Sequence, residues 1–217
     1  DAIKKCLAQQ DKDAQWDVAY LPIDPADLGR NYEAVIRINS QSGKGGVAWV
    51  LENDYGLHMP RWLQIDASRK VQAEAEAQSG ELSAVEIWSL FAASYLQPEG
   101  QQSLQNFSIS QDNASHRGHD RLKLVTHVNG QAVSLEGEGD GAISALIDAW
   151  QQRYGDAVEV IDYSEHALKS GTASEAIAYV LLSINKQRYI GVAVNNDVVS
   201  ASLQAVINAA AQSQYAE

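Results

Sequence analysis

The stretch that decides the fold is Leu122-Lys123-Leu124-Val125-Thr126-His127-Val128-Asn129-Gly130-Gln131-Ala132-Val133-Ser134-Leu135-Glu136. Two alternating apolar segments flank Asn129-Gly130, a pair that accepts the positive φ angles of a type I′ turn, so the stretch predicts a β-hairpin. Immediately downstream, Gly139-Asp140-Gly141 opens an apolar-periodic segment, Ala142–Arg153, which predicts a helix. The same order returns later. Ala176–Ile184 and Tyr189–Val194 flank Asn185-Lys186-Gln187, and Asn195-Asn196-Asp197 leads into the apolar-periodic Val198–Gln212. A slide of about 57 residues lays hairpin on hairpin and helix on helix, the signature of an internal repeat. With a leading strand in each half, near 104–110 and 157–164, the region predicts two βββα units. Each sheet would cover one face with its helix and leave the other for a further layer, a partner sheet being the simplest cover.

Working outward, the region before residue 100 has a different character. Four of the five tryptophans, Trp16, Trp49, Trp62 and Trp88, fall there. Asp1 to Gln10 reads as a short helix, and Pro22 and Pro25 keep the arm from Trp16 to Pro25 extended. Helical patterns follow at 44–54, 60–78 and 83–96, the last opening on the capping-box sequence Ser83-Ala84-Val85-Glu86. Gln97-Pro98-Glu99-Gly100-Gln101-Gln102 interrupts periodicity, so the expected domains are 1–100, small and mostly helical, and 101–217, the repeated βββα region. The fold class is α+β.

Composition narrows the functions. The 217 residues are 45% hydrophobic, enough for a real core, and a formal charge of −12 disfavours phosphate backbones and anionic membrane surfaces. Cys6 is the single cysteine, so neither an internal disulfide nor a cysteine zinc site can form, and a reducing, cytoplasmic setting is expected. The chain begins without Met, as a piece of a longer protein would, and its first residues lack a signal peptide's apolar segment.

Three motifs bear on chemistry. Ser40-Gln41-Ser42-Gly43-Lys44-Gly45-Gly46 has the glycines of a phosphate loop, but Ile38 stands where its first glycine belongs and Gly45 where its magnesium-binding Ser or Thr belongs, which leaves a glycine-rich start of a helix. His116-Arg117-Gly118-His119-Asp120 carries possible metal ligands without the helical spacing of a metal motif, and no metal site is expected. His58, His127 and His166 are scattered along the chain, with no nucleophile elbow or Cys-His pair beside them. Gly139-Asp140-Gly141 meets a helix start, where free N–H groups seat a small carboxylate; a tight turn with an N-cap is the plainer reading of the same triplet.

Several segments together resemble the 2-isopropylmalate synthases of the longer type: Tyr20–Pro25, Gly29–Ala48, Pro60–Ile65, Asp162–Ala167 and Ala176–Val180. Essentially the whole chain takes part in the likeness. The resemblance implies an enzyme of leucine biosynthesis that condenses acetyl-CoA with 2-oxoisovalerate, using a divalent metal, Mg or Mn, in a (β/α)₈ barrel whose ligands match no residue here. It implies that 1–100 are linker subdomains and 101–217 a dimerising regulatory domain that binds L-leucine for feedback inhibition. Tyr20 matches a tyrosine delivered to the partner subunit's active site. Gly139, Gly141, Ile143, Ser144, Val160, Tyr163, Ala167, Ser174 and Ala176 match the effector-binding positions. The chain departs from its relatives at Cys6, at Ala67 and in Gly171-Thr172-Ala173, where an acidic residue is usual beside the effector pocket. Two other readings use the same features: a free-standing amino-acid-binding module, and the equivalent region of a citramalate synthase with isoleucine as effector.

Overall fold

A computed structural model describes Asp27 and residues 44–78, 80–96, 103–112, 119–128, 131–168 and 175–215. The chain divides into two compact units, Asp1–Ile36 and Arg37–Glu217, and the architecture below is that of the second.

Three helices come first. Helix α1 (Lys44–Tyr55) buries Val47, Val50 and Leu51. It ends at Gly56, whose positive φ of 72° lets the Gly56 N–H reach back to the Glu52 carbonyl at 2.9 Å, the bond of an αL stop, with the Leu57 N–H on the Leu51 carbonyl at 3.1 Å. Helix α2 (Arg61–Ala77) places Leu63, Ala67, Val71 and Ala75 on one buried stripe, the four-residue spacing of a helical face. Helix α3 (Ala84–Phe91) opens with the predicted capping box: the Glu86 carboxylate accepts the Ser83 N–H at 2.7 Å, and Ser83 Oγ accepts the Glu86 N–H. The expected helix continues to Leu96, but its last part, Ala92–Leu96, widens into a π-helical turn. There Tyr95 is buried and its hydroxyl donates to Asp66 of α2 at 2.6 Å, while Trp88 stacks on Tyr55 with ring centroids 4.4 Å apart.

The repeat follows. Strands β1 (Ser103–Asp112), β2 (His119–Val128) and β3 (Gln131–Gly139) form one antiparallel sheet in the order β1-β2-β3, followed by α4 (Ala142–Tyr154). Strands β4 (Val158–Ala167), β5 (Ala176–Ile184) and β6 (Gln187–Asn195) form the second, β4-β5-β6, followed by α5 (Val198–Tyr215). Val128 pairs with Gln131 across the predicted hairpin, although Asn129 and Gly130 themselves lie outside the described residues. In the second hairpin Ile184 pairs with Gln187, and the two linking residues, Asn185 and Lys186, both have positive φ. The repeat extends to its irregularities, since each leading strand carries a register shift at its start, between Leu104 and Asn106 and between Val160 and Asp162.

Both βββα units share one core. Leu122, Leu124, Leu135, Leu146 and Trp150 of the first unit join Val180, Leu182, Val206 and Ile207 of the second in a single apolar cluster. Polar bonds cross between the two βββα units: Gln204 of α5 accepts the Leu104 N–H of β1 at 2.8 Å, and Gln151 of α4 donates to the Val158 carbonyl of β4 at 2.9 Å.

The expectation that a partner sheet covers both outer faces needs correction. On the first sheet the outer face is polar, with Arg121 paired to Glu138 at 2.6 Å and Lys123 to Glu136 at 2.9 Å across neighbouring strands, so water covers it at no cost. On the second sheet, β5 reads Ala-Ile-Ala-Tyr-Val-Leu-Leu-Ser-Ile and is buried on both sides. Ala178, Val180 and Leu182 face α5, while Ile177 and Tyr179, both fully buried, alternate to the other side together with Val192 of β6. This chain's own helical region lies over that side. Its π-helical turn packs on β6, Trp62 Nε1 of α2 donates to Asp162 of β4 at 3.0 Å, and the His58 N–H donates to His166 of β4 at 3.1 Å.

Candidate functional site

The start of α4 is built by glycines with different tasks. A side chain at Gly137 would place its Cβ 2.3 Å from the Ala145 carbonyl oxygen, and one at Gly139 would lie 2.6 Å from the Ala145 nitrogen, so both glycines let α4 settle directly on β3. Gly141 differs. Its backbone is extended, nothing lies within 4 Å of the position a Cβ would take, and no side chain caps the helix it precedes. The first turn of α4 therefore keeps backbone N–H groups that no side chain caps among the described residues.

The equivalent position in the second repeat is Asp197, and it is filled chemically. Asp197 Oδ1 accepts the Ser200 N–H at 2.8 Å at the start of α5. Hydrogen bonds from the Ser200 hydroxyl and backbone, with a smaller one from the Val199 N–H, hold this carboxyl below the usual range. The backbone geometry matches otherwise, since the Ala145 N–H donates to the Gly141 carbonyl at 2.9 Å and the Ala201 N–H to the Asp197 carbonyl at 3.0 Å.

The predicted effector residues fall into groups. Gly139 and Ser144 line an open cleft of about 720 Å³ along the free edge of β3, with Arg121, Glu138 and Asp148 among its other walls. His119 stands at its end, with Nδ1 3.3 Å from the Asp140 carboxylate. Ile143, Val160 and Tyr163 are partly buried against the shared core, and Ala167 pairs with Ala176 at the end of β4 and β5. Tyr163 donates to Glu165 on its own strand, and the Ser202 hydroxyl of α5 lies 2.6 Å from the same phenol oxygen and 2.6 Å from the Val198 carbonyl. Burial, then the hydrogen bond to Glu165, pushes the Tyr163 phenol up to about 12, with the Ser202 bond opposing. Tyr20, Ser174 and the turn Gly171-Thr172-Ala173 lie outside the described residues. Ala67 is buried in α2 and lines a narrow gap with Leu51, Val71, Phe91 and Tyr95, a packing position.

One constellation was missed in the sequence. His58 and His166, read there as scattered, meet across a separation of 108 residues, with ring centroids 4.9 Å apart and edge-on. His166 Nε2 lies 3.1 Å from the His58 backbone nitrogen and 3.0 Å from the buried Tyr179 hydroxyl. No local pattern announces such a contact. Among the described residues no group of three or more His, Cys, Asp or Glu side chains is arranged to hold a metal ion, and no helix is long and apolar enough to cross a membrane.

Fold and site together define a class: a pair of βββα units sharing one core, packed on a helical module, with one helix start left open. Residues 81–214 match the family model of the LeuA allosteric (dimerisation) domain, and residues 1–52 match alpha-isopropylmalate synthase, post-catalytic domain-like. The chain belongs to the LeuA allosteric (dimerisation) domain family. Proteins named 2-isopropylmalate synthase are similar to it over nearly all its length. The one from Pseudomonas syringae pv. syringae (strain B728a) is 42% identical over 96% of this chain, that from Alcanivorax borkumensis 40% over 99%, and that from Azotobacter vinelandii 41% over 96%. The chain spans 36%, 38% and 36% of those three proteins' own lengths.

Proposed function

We propose that this chain is the regulatory portion of a 2-isopropylmalate synthase, binding L-leucine as a feedback inhibitor and joining two subunits as a homodimer. The observation that carries the effector reading is the contrast at the two helix starts: α5 is capped by Asp197, while α4 begins at Gly141 with open space and no side-chain cap. A free α-carboxylate placed there accepts the first-turn amides as Asp197 does in the other repeat. Ile143, in the first turn of α4, supplies apolar surface beside it for a branched side chain. The homodimer rests on the family's description as a dimerisation domain.

In this reading the condensation of acetyl-CoA with 2-oxoisovalerate, in the cytoplasm, is the work of the whole enzyme, and Tyr20 serves the partner subunit's active site. Residues 1–217 by themselves do not turn over these substrates. Calorimetric titration of the chain with leucine, isoleucine and valine tests the effector assignment. Saturable binding of leucine, tighter than of the other two, supports it; preference for isoleucine moves the chain to a citramalate synthase, and heats no different from dilution for all three sink the effector role.

A further inference from the structure

We propose that His166 is an acid-releasable clasp between the helical module and β4, holding the loop after α1 through the backbone N–H of His58. The hydrogen bonds determine its protonation. A backbone N–H can only donate, so His166 Nε2, 3.1 Å from the His58 nitrogen, carries a lone pair. The Tyr179 hydroxyl at 3.0 Å shares that one lone pair as the second donor of a three-centre bond, and the ring proton sits on Nδ1, which faces the Ala167 carbonyl at 3.2 Å. His166 is thus a neutral imidazole in one tautomer, with both nitrogens engaged.

A second proton goes to Nε2. The Tyr179 hydroxyl answers by rotating and becoming an acceptor, whereas the His58 N–H has no such freedom and is left facing another donor. Acid therefore breaks the link to the helical module and spares the link within the sheet. The surroundings favour the neutral ring: burial holds His166 below its ordinary value of 6.5, the Ala167 bond opposes this, and charge on His58 lowers it further. From the loop the facing titratable group is His58, itself 3.2 Å from Glu52 of α1, and from β5 it is Tyr179. On β4, Asp162 lies on the same face and is engaged by Trp62, while Glu165 belongs to the other face and binds Tyr163. Because the proton is taken up when the contact opens, the clasp is at full strength above pH 6.5 and is lost as pH falls below it.

Alternation along β4 gives the clasp its reach. Asp162 and His166 grip the helical module, and Tyr163 and Ala167 lie on the opposite face of the same strand. A displacement of β4 on one face is felt on the other within one residue. The clasp follows from the hydrogen bonds alone and stands whether or not Tyr163 and Ala167 touch an effector.

The test is nuclear magnetic resonance and amide exchange on the chain, with the Val180 amide of β5 as internal reference. The expected nitrogen shifts are those of the Nδ1–H tautomer at pH 8. On lowering the pH to 5.5, the protection of the His58 amide should fall by about tenfold relative to Val180 as His166 titrates. His166→Gln presents an oxygen near the Nε2 position and cannot titrate, so its His58 protection should stay level across the same range; His166→Phe should lack it throughout. An Nε2–H tautomer at pH 8, unchanged His58 protection through the His166 titration, or an equal acid loss in the Gln variant would each overturn the proposal. Should the Phe variant fail to fold, the parent and Gln measurements decide alone.

Discussion

Gly141 and Asp197 occupy the same position in the two βββα units, yet only Asp197 supplies an oxygen to the helix it precedes. Pseudo-equivalent backbones have diverged at one side chain. The second helix start is closed by a carboxylate belonging to the chain, and the first has no side-chain cap, which in the proposed reading is the seat of the effector's carboxylate. One effector per chain, rather than one per repeat, is the stoichiometry this asymmetry predicts, and the calorimetric titration reads it directly.

The same pair makes opposite predictions for two variants. Gly141→Asp installs in the first unit the group that Asp197 places in the second, so leucine binding should weaken by at least about tenfold, or roughly 1.4 kcal/mol. Stability should move by only a few tenths of a kcal/mol, because glycine is itself a tolerated N-cap and the position is open. Asp197→Ala should cost about 1 kcal/mol of stability and leave leucine affinity unchanged. Thermal unfolding paired with calorimetry separates the two effects. Parent-like leucine binding by the Gly141 variant would remove the carboxylate from this helix start.

Glycine substitutions elsewhere should differ in sign. A Cβ at Gly191 would sit 1.9 Å from the Ala205 carbonyl oxygen and 2.7 Å from the Ala209 nitrogen, both backbone atoms of α5 that cannot swing aside. Gly191→Ala should therefore destabilise by about 1–3 kcal/mol as α5 is pushed off β6. Gly45 lies in α1 with nothing within 4 Å of its Cβ position, so Gly45→Ala should stabilise by up to about 1 kcal/mol through helix propensity. Urea unfolding midpoints of the two variants should fall on opposite sides of the parent.

Local periodicity made much of this fold legible. The hairpin around Asn129-Gly130, the continuous apolar run of β5 and the Ser83–Glu86 box each declare themselves within a dozen residues, and the repeat follows from comparing two such stretches. The leading strands were read short. Observed β1 runs to Asp112 and β4 to Ala167, because their last residues, Gln111-Asp112 and Glu165-His166-Ala167, carry no apolar alternation. The asymmetry between Gly141 and Asp197 was visible as sequence, but its meaning needed the hydrogen bond to Ser200. The meeting of His58 with His166 was not legible at all. It depends on the loop after α1 reaching β4, a tertiary choice that no spacing encodes.

High pH should weaken the fold. The phenols of Tyr95, Tyr163 and Tyr179 are all held above the ordinary value of 10.0, in each case with burial as the leading cause. A raised value means that the folded state keeps its proton longer than the unfolded chain. The stabilisation from these groups is complete below pH 10 and is lost as pH climbs through 10 toward the folded values, about 12 for Tyr163. Denaturant midpoints measured from pH 8 to 11.5, with tyrosinate absorbance followed in parallel, should fall as ionisation begins. A midpoint that held level while these phenols ionised would contradict the burial assigned to them.

The last prediction concerns the covered face of the second sheet. Ile177, Tyr179, Leu181 and Val192 are buried on the side away from α5, where the chain's helices lie, so a chain reduced to residues 101–217 would expose them together. Each such side chain is worth about 1.5–3 kcal/mol when fully buried, and the four together rival the about 5–15 kcal/mol that holds a whole domain folded. They would also form a contiguous apolar surface of the kind that recruits a second molecule. The shortened chain should therefore melt well below the parent, bind an apolar dye, and self-associate beyond the oligomeric state of the full 217 residues. Changing Ile177 and Leu181 to Lys and Thr in the shortened chain should suppress the extra association by breaking the apolar surface, while in the full chain the same pair should lower stability by disturbing the helical cover. Sedimentation and thermal melts of the four proteins decide the matter. If 101–217 is as stable as the parent and shows no new association, the helices over the second sheet are an attachment rather than part of its core.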